Sequence, residues 1–181
     1  MTILSLLFVA LLGAIVVLAS LKPDAFRVTR SATIAAPADA VFAHLVDFHR
    51  WNAWSPWAKR DPAAKNSFDG PDSGVGSSFA WAGNSKVGAG KMTIEECIRD
   101  ESLRIRLEFE RPMQAVNRAS FELKPEGEAT RVTWSMAGKN NFYAKLFSLV
   151  VDMDKMIGKD FEEGLGNLKA LAEAAGNKAS A

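Results

Sequence analysis

The segment between Leu103 and Phe109 carries the sequence pattern that most limits the folds open to this chain. Every second side chain there is apolar, and the ones between are arginine or glutamate. Successive side chains of a strand point to opposite faces, so this segment predicts a strand with one buried and one wetted face. Such a strand belongs to an antiparallel sheet, because parallel sheets are normally covered on both faces.

The same alternation predicts six further strands along the chain. Sequences rich in Gly, Pro, Asn and Asp separate them and are typical of turns. Pro37 and Asp39 predict the start of a helix after the first strand, and Pro56 ends a short tryptophan-rich helical segment. With residues 102–110, the predicted strands cover residues 26–35, 66–68, 77–82, 91–99, 114–124 and 130–136.

A long helix is predicted after the last strand, since apolar residues recur every three to four positions from Phe142 to Ala172. Gly158, Gly164 and Gly166 lie in this segment. Each costs up to about 1 kcal/mol against alanine and so predicts a kink, a break or close packing. The acidic residues of the helix should form its solvated face, balanced by lysines three or four positions away. These residues are Asp152, Asp154, Asp160, Glu162 and Glu163, with Lys155 and Lys159.

The predicted fold is of the α+β class: a seven-stranded curved antiparallel sheet wrapped around the long C-terminal helix. That helix is the only predicted element large enough to cover the apolar face of the sheet. A strongly curved sheet leaves space between itself and the helix, and Phe, Trp and Met side chains would line that space.

The first 21 residues carry no charged side chain, and 17 of them are apolar. A helix from Thr2 to Leu21 would be about 30 Å long, which is the thickness of a hydrocarbon core. The segment therefore predicts a transmembrane helix ahead of the sheet. A secretory signal peptide stays an alternative, with a cleavage site at Val17-Leu18-Ala19, although no basic residue precedes the apolar run. The predicted layout is an anchor over residues 1–21, a linker over 22–25, a domain over 26–176 and a disordered tail over 177–181.

A set of short segments in the domain resembles the START/Bet v 1-like (SRPBCC) superfamily, and more narrowly its bacterial polyketide cyclase/dehydrase and lipid-transport-like branch. The resemblance covers residues 26–174 and implies the helix-grip fold. Members commonly enclose an apolar ligand between sheet and helix; some are enzymes, some carry lipids or isoprenoids, and some are regulatory modules. The segments that carry the resemblance are residues 30–31, 34–37, 41–42, 51–57, 74–81, 88–94, 130–134 and 153–158.

Basic residues follow the apolar segment and none precedes it. Lys22, Arg27 and Arg30 are the nearest of them. Positive flanks tend to remain in the cytoplasm, so the pattern favours a single-pass protein of the inner membrane with a cytoplasmic domain. A periplasmic domain, or a domain secreted after signal cleavage, stays open.

The sequence offers few residues for catalysis or metal binding. Cys97 is the single cysteine of the sequence, which excludes an internal disulfide and a thiolate metal cluster. The alternation of its strand predicts that its side chain faces outward. His44 and His49 are five positions apart, so they would not share a helix face as metal ligands do. The glycine-rich residues 70–76 lack the ending of a phosphate loop and favour a turn. With a net charge of +1, no nucleic-acid partner is expected, and neither is a cofactor or a metal.

Three polar residues occupy strand positions that the alternation predicts to face inward. They are Arg30, Glu96 and Asn117. A buried charge is costly unless it is paired, so Arg30 and Glu96 should pair with each other or meet a polar ligand group. The alternative is that they lie in water at strand ends, or that a bulge reverses the face. Trp51, Trp54 and Trp57 would either gate the pocket or anchor their segment on the sheet.

The favoured function is a membrane-tethered binding protein, a carrier or sensor for a small hydrophobic ligand such as a lipid, isoprenoid or aromatic metabolite. No catalytic residue is predicted. Two alternatives stay open: a polyketide cyclase/dehydratase-like enzyme that uses Glu96, Asn117 or Arg30, and an interaction or regulatory module with a filled core. The sequence names no protein partner. The residues predicted to line the ligand site are Trp81, Met92, Ile94, Glu96, Leu107, Phe109, Asn117, Phe121, Trp134, Met153, Met156 and Phe161.

Overall fold

The alternating segments form one seven-stranded antiparallel sheet in the computed structural model of the chain. The structure describes the backbone of residues 2–179, and within that range it describes all side chains except those at positions 6 and 176–179. The strands lie in the order β1-β7-β6-β5-β4-β3-β2, so the first strand pairs with the last. Their bounds are β1 Ala25–Ile34, β2 Lys65–Asp69, β3 Ser78–Ala82, β4 Ala89–Ile98, β5 Ser102–Arg111, β6 Ala115–Glu126 and β7 Ala129–Lys139.

Two helices follow the sheet where a single one was predicted. The break lies between Phe147 and Met153 and not at a glycine. The second helix presents Phe161, Leu165 and Leu168 to the core, which is the predicted 3-to-4 residue spacing. It runs to Ala179, into the segment predicted as a tail, and residues 180–181 lie outside the described range. The helices are α1 Ile3–Ser20, α2 Ala38–Leu45, α3 Pro56–Arg60, α4 Phe142–Phe147 and α5 Met153–Ala179.

The tryptophan-rich segment is anchored in the core. Trp54 is fully buried and Trp51 nearly so, in and after a 3-10 helix over Phe48–Ala53. The Nε1–H of Trp51 donates to the carbonyl of Leu45 at 2.9 Å, and that of Trp54 donates to the carbonyl of His44 at 3.2 Å. These contacts confirm the anchoring interpretation for both residues, because burial satisfies the apolar ring and the polar N–H together.

The glycine-rich loop before β3 makes turns. Gly70, Gly74 and Gly76 have φ values of 82°, 82° and 88°, a conformation that glycine adopts without steric cost. The turn interpretation is confirmed.

The N-terminal apolar segment is helical over Ile3–Ser20 and has the length and hydropathy of a membrane span. A signal sequence near an N-terminus has the same properties. Among its described residues, Ala19 is buried and Ile15 is partly buried, while the other side chains are exposed. Only its C-terminal end therefore contacts the folded domain.

Candidate ligand-binding site

Residues opposite one another on neighbouring strands form transverse rows on the inner face of the sheet. Two such rows lie at the end of the sheet where β5 and β7 finish, and we call them the open rows. Register places Asn117 opposite Leu107 on one side and opposite Gly138 on the other. The first open row consists of Phe26, Gly138, Asn117, Leu107, Met92, Phe79 and Phe68, and the second of Ala115, Phe109, Gly90, Trp81 and Asn66.

Exposure of the inner face increases toward the open rows. Along β5, Leu103 and Ile105 are 0% exposed, Leu107 is 8% exposed, and Phe109 is only partly buried. On β3, Trp81 is also only partly buried. The far end of the sheet is therefore sealed, whereas the open rows present apolar surface that the protein itself leaves partly uncovered.

Two glycines let neighbouring side chains approach the backbone closely in the open rows. A Cβ at Gly90 would come within 2.7 Å of the Trp81 ring, and a side chain at Gly138 would overlap the amide of Asn117. The Trp81 Nε1–H donates to the carbonyl of Val87 at 3.3 Å, which fixes the ring. Both positions require glycine because the neighbouring group occupies the place of a side chain.

Asn117 is the buried polar residue of the open rows. The residue is 7% exposed, and its amide makes no hydrogen bond to any other described residue of the chain. Its nitrogen and oxygen are not among the fully buried atoms that lack a partner, so solvent reaches the amide. An amide that faces inward and bonds no protein group is positioned to bond a group that does not belong to the protein fold.

The opposite half of the predicted site is filled by stacked aromatic rings. Trp134 stacks on Phe161 with ring centroids 4.0 Å apart and planes 7° apart, and it stacks on Phe121 at 5.0 Å. Trp54 packs edge-on against Trp134 at 5.6 Å. Phe121, Trp134 and Phe161 face inward as predicted, and so does Ile94, but each is almost completely buried by protein. They form a closed half of the core next to the open rows.

Glu96 does not face inward, and that prediction is wrong. The register of β4 against β5 shifts between Ile94 and Glu96, which reverses the faces beyond the irregularity. Glu96 lies exposed on the outer face, and Arg104 donates to it at 2.8 Å. For the same reason Cys97, predicted to face outward, packs partly buried against the core.

Arg30 bonds to α5 and not to Glu96. Its Nε donates to Glu162 at 2.7 Å, and its two terminal nitrogens donate to Asp154 at 3.2 and 2.9 Å. Hydrogen bonds from Arg30, more than its charge, hold the pKa of Asp154 below its usual value. Arg30 is thus occupied in holding β1 to α5 and has no free donor for a ligand.

The acidic face of α5 is therefore only partly a solvated one. Asp152 contacts Lys155 as predicted, at 3.6 Å. Asp160 instead binds Arg60 of α3, with Glu163 close to the same guanidinium. These pairs hold α3 against α5.

The two methionines predicted for the site lie in the first turn of α5 and differ in exposure. Met153 is partly buried, whereas Met156 is 45% exposed and does not face the core. Ile157, one position later, packs against the core in its place. The prediction for Met156 is wrong because the helical face that carries Phe161 passes through Ile157, four residues earlier.

A family model described as "Polyketide cyclase / dehydrase and lipid transport" matches residues 25–173. The chain belongs to this family. No functionally curated protein matches the sequence.

Solved structures support the fold of this polyketide cyclase/dehydrase and lipid-transport family member. CV1439 from Chromobacterium violaceum is 15% identical with a TM-score of 0.59, over 84% of this chain and 99% of that one. Mll3558 from Rhizobium loti is 22% identical with a TM-score of 0.56, over 82% and 95%. The Bet v 1-like protein Ara h 8.0201 is 9% identical with a TM-score of 0.56, over 83% and 99%. The predicted helix-grip fold is confirmed.

In this family member, the described polar groups do not assemble into an acid–base set at the open rows. Glu96 is on the outer face, and Arg30 is bound to α5. His49 is exposed and stacks on Phe68, while His44 is half-buried at the end of α2. Over residues 2–175, no group of three or more His, Cys, Asp or Glu side chains could hold a metal ion. The chemistry of the open rows is that of apolar contact plus the inward-facing amide of Asn117, with the exposed Asn66 at the edge strand.

Proposed function

We propose that this protein is a membrane-tethered carrier or sensor for a small hydrophobic ligand, such as a lipid, isoprenoid or aromatic metabolite. The observation that carries the proposal is Asn117, an inward-facing residue whose amide has no hydrogen-bond partner among the described residues and which lies beside the partly uncovered Trp81 and Phe109. Ligand sites have this character, with apolar walls and a few placed polar groups. Membership of a family whose description includes lipid transport supports it.

The shape of the core limits where the ligand would lie. The closed half is filled by the Trp134–Phe161 stack, so the apolar body of a ligand would lie over the open rows, where Trp81 and Phe109 are the less covered residues. There it would contact Trp81, Leu107 and Phe109, and one polar group of the ligand would bond Asn117. Met92 beside them adapts easily to different shapes, because its thioether chain is flexible. Met153 stays a proposed member of this smaller site, since it is partly buried and lies on the helix face of Ile157 and Phe161.

Tethering by α1 would keep the site close to apolar molecules dissolved in the bilayer, since linkage to the membrane raises the effective concentration of these molecules at the site. The exposed Arg27 and the half-buried Lys22 follow the span, which supports a cytoplasmic domain at the inner membrane. Topology reporters fused after Ala181 test on which side of the membrane the domain lies. Activity of a cytoplasmic reporter supports it, and activity of a periplasmic reporter instead places the domain outside.

One observation favours a second candidate function. The Trp134–Phe161 stack fills much of the space that a helix-grip protein has between sheet and helix. If the open rows are also covered by a protein, the domain is an interaction module with a filled core. A cyclase or dehydratase has less support, because Glu96 lies on the outer face and the inward-facing Arg30 is bound to Asp154 and Glu162 of α5. Of the three polar residues considered for it, only Asn117 has an amide free for a substrate.

The test is photo-crosslinking on the full-length protein in lipid nanodiscs, with a diazirine-bearing palmitate analogue as the probe. We expect crosslinks in peptides that contain Trp81 and Phe109, and loss of these crosslinks in Phe109→Arg. Val116→Arg is the matched control, since Val116 is 55% exposed on the same sheet and lies next to inward-facing Asn117 on the opposite face. Equal labelling of both variants, or labelling only of outer-face peptides, would contradict the proposed site.

A further inference from the structure

An exposed apolar surface lies beside the end of α1. It is formed by α4, the loop after it and the turn between β5 and β6. Val150 is 83% exposed and Tyr143 is 70% exposed. Clusters of exposed apolar residues mark interaction sites for proteins or membranes. We call this surface the α4 patch; it comprises Met113, Phe142, Tyr143, Leu146, Phe147 and Val150.

The α4 patch lies alongside α1 rather than beyond its end. An open apolar groove of about 610 Å³ is lined by Ile15 of α1 and by patch residues that include Met113 and Val150. Among the described side chains of α1, Ile15 and Ala19 are the two with reduced exposure, and their spacing of four places them on one helix face. This face therefore contacts the region of α4.

The depth of this contact follows from helix geometry. Ile15 lies five residues before Ser20, the last residue of α1, and so about 7.5 Å inside the end of the apolar helix. Side chains that share a groove with Ile15 lie at a similar level. Helices that bind in the plane of a membrane bury their apolar faces by about 5–10 Å, which is the same depth.

The connection between α1 and the domain is fixed to the same region. The amide N–H of Asn140 donates to the carbonyl of Asp24 at 2.8 Å, and its side chain donates to the carbonyl of Pro23 at 3.0 Å. Lys145 of α4 binds the carboxylate of Asp24. The linker is thus bonded to α4 and its approach, and the patch keeps its place beside α1.

We infer that the α4 patch docks into the surface of the bilayer that α1 enters. This inference rests on the tethering in the proposed function. Phe109 and Gly138 of the open rows lie four residues before Met113 and Phe142 of the patch, at the ends of β5 and β7. Docking therefore turns the open rows toward the lipid, and an apolar ligand passes between bilayer and site without crossing water.

Spin-label depth measurements on the full-length protein test the docking. The protein carries Cys97→Ala and one new cysteine, and it is reconstituted in vesicles of phosphatidylethanolamine and phosphatidylglycerol. Labels replace Val150, Tyr143, Val9 in α1, or Ile98, which is a 57% exposed control at the opposite end of the sheet. Relative access of oxygen and of a water-soluble nickel complex gives the depth of each label.

We expect Val9 in the hydrocarbon region, Val150 and Tyr143 about 5–10 Å below the lipid phosphates, and Ile98 in water. Labels at Val150 and Tyr143 in water, with Val9 in hydrocarbon, would overturn the docking and leave the tether intact. Protection of these labels from both reagents would also overturn it, because a protein partner or a second copy would then cover the patch. Val9 in water would overturn the tether and the docking together.

Discussion

The guanidinium of Arg30 on β1 lies directly over Gly158 of α5, so that even a methyl group at position 158 would overlap it. From this position it bonds both Asp154 and Glu162, one turn to either side of the glycine. The glycine is therefore the gap through which a strand side chain reaches both acids of the helix.

Gly158→Ala and Gly166→Ala should differ in their effects, although both are helical positions. Nothing lies within 4 Å of a Cβ at Gly166, so alanine there should raise the free energy of unfolding by about 0.5–1 kcal/mol through helix propensity alone. At Gly158 the same gain is offset, because Arg30 must leave its bonds. Urea unfolding of the full-length protein in nanodiscs, followed by tryptophan fluorescence, compares the two. Equal stabilisation would show that the contact between Arg30 and Gly158 is unimportant.

Acid should release the bond between β1 and α5. Because Arg30 lowers the folded-state pKa of Asp154, the unfolded state binds a proton more readily than the folded state. The stabilisation is thus fully present above the unfolded pKa of about 4 and is lost as the pH falls through the lower folded value. Asp154→Asn should flatten the fall in stability below about pH 4. Asp72→Asn, in an exposed loop, is the control, and an identical acid profile for both variants would refute this role of Asp154.

The closed half and the open rows should respond differently to truncation of a phenylalanine. Phe161→Ala removes a fully buried ring from the Trp134 stack and should cost about 3–5 kcal/mol of unfolding free energy. Phe109→Ala removes a partly exposed ring and should cost only about 1 kcal/mol. Thermal and urea unfolding measure both. Similar large losses would mean that Phe109 is core and that the site is closed.

Replacing Asn117 by leucine should separate stability from binding. We expect nearly unchanged stability, because the amide makes no hydrogen bond to the described residues and its removal breaks none. Binding of a palmitate probe should weaken about fivefold to tenfold, the equivalent of about one hydrogen bond.

Arg118→Leu places the same side chain on the opposite face of β6 and should leave binding unchanged, because Arg118 is 79% exposed and only loosely paired with Glu95. A loss of stability in Asn117→Leu without a loss of affinity would assign the amide a structural role.

Strand alternation predicted the sheet well, because burial of one face acts on every second residue independently of the rest of the fold. Leu103 and Phe121 were placed inward on that basis and are fully buried. The predictions fail where one local irregularity changes the faces or the continuity of all residues that follow it in the same element. The irregularity before Glu96 inverted the end of β4, and the break after Phe147 divided the predicted helix at a position that no proline or glycine marks.

The site was less predictable than the fold, because it depends on which inward residues meet each other. Strand alternation predicted that Trp134 and Phe109 both face inward. Only the packing shows that Phe161 covers Trp134 and that Phe109 stays partly exposed. The partners of Arg30 lie more than 120 residues away on α5, beyond the reach of any local pattern. Strand alternation alone predicted that Asn117 faces inward. That its amide bonds no other described residue could be seen only in the structure.

The most direct test of the account is native mass spectrometry with organic extraction of the full-length protein purified from cells. We predict that the wild type and Val116→Arg retain the same small apolar compound and that Phe109→Arg has lost it. Folded wild-type protein that carries no compound, even after incubation with mixed lipids, would contradict the ligand-binding account. It would favour the filled-core interaction module instead.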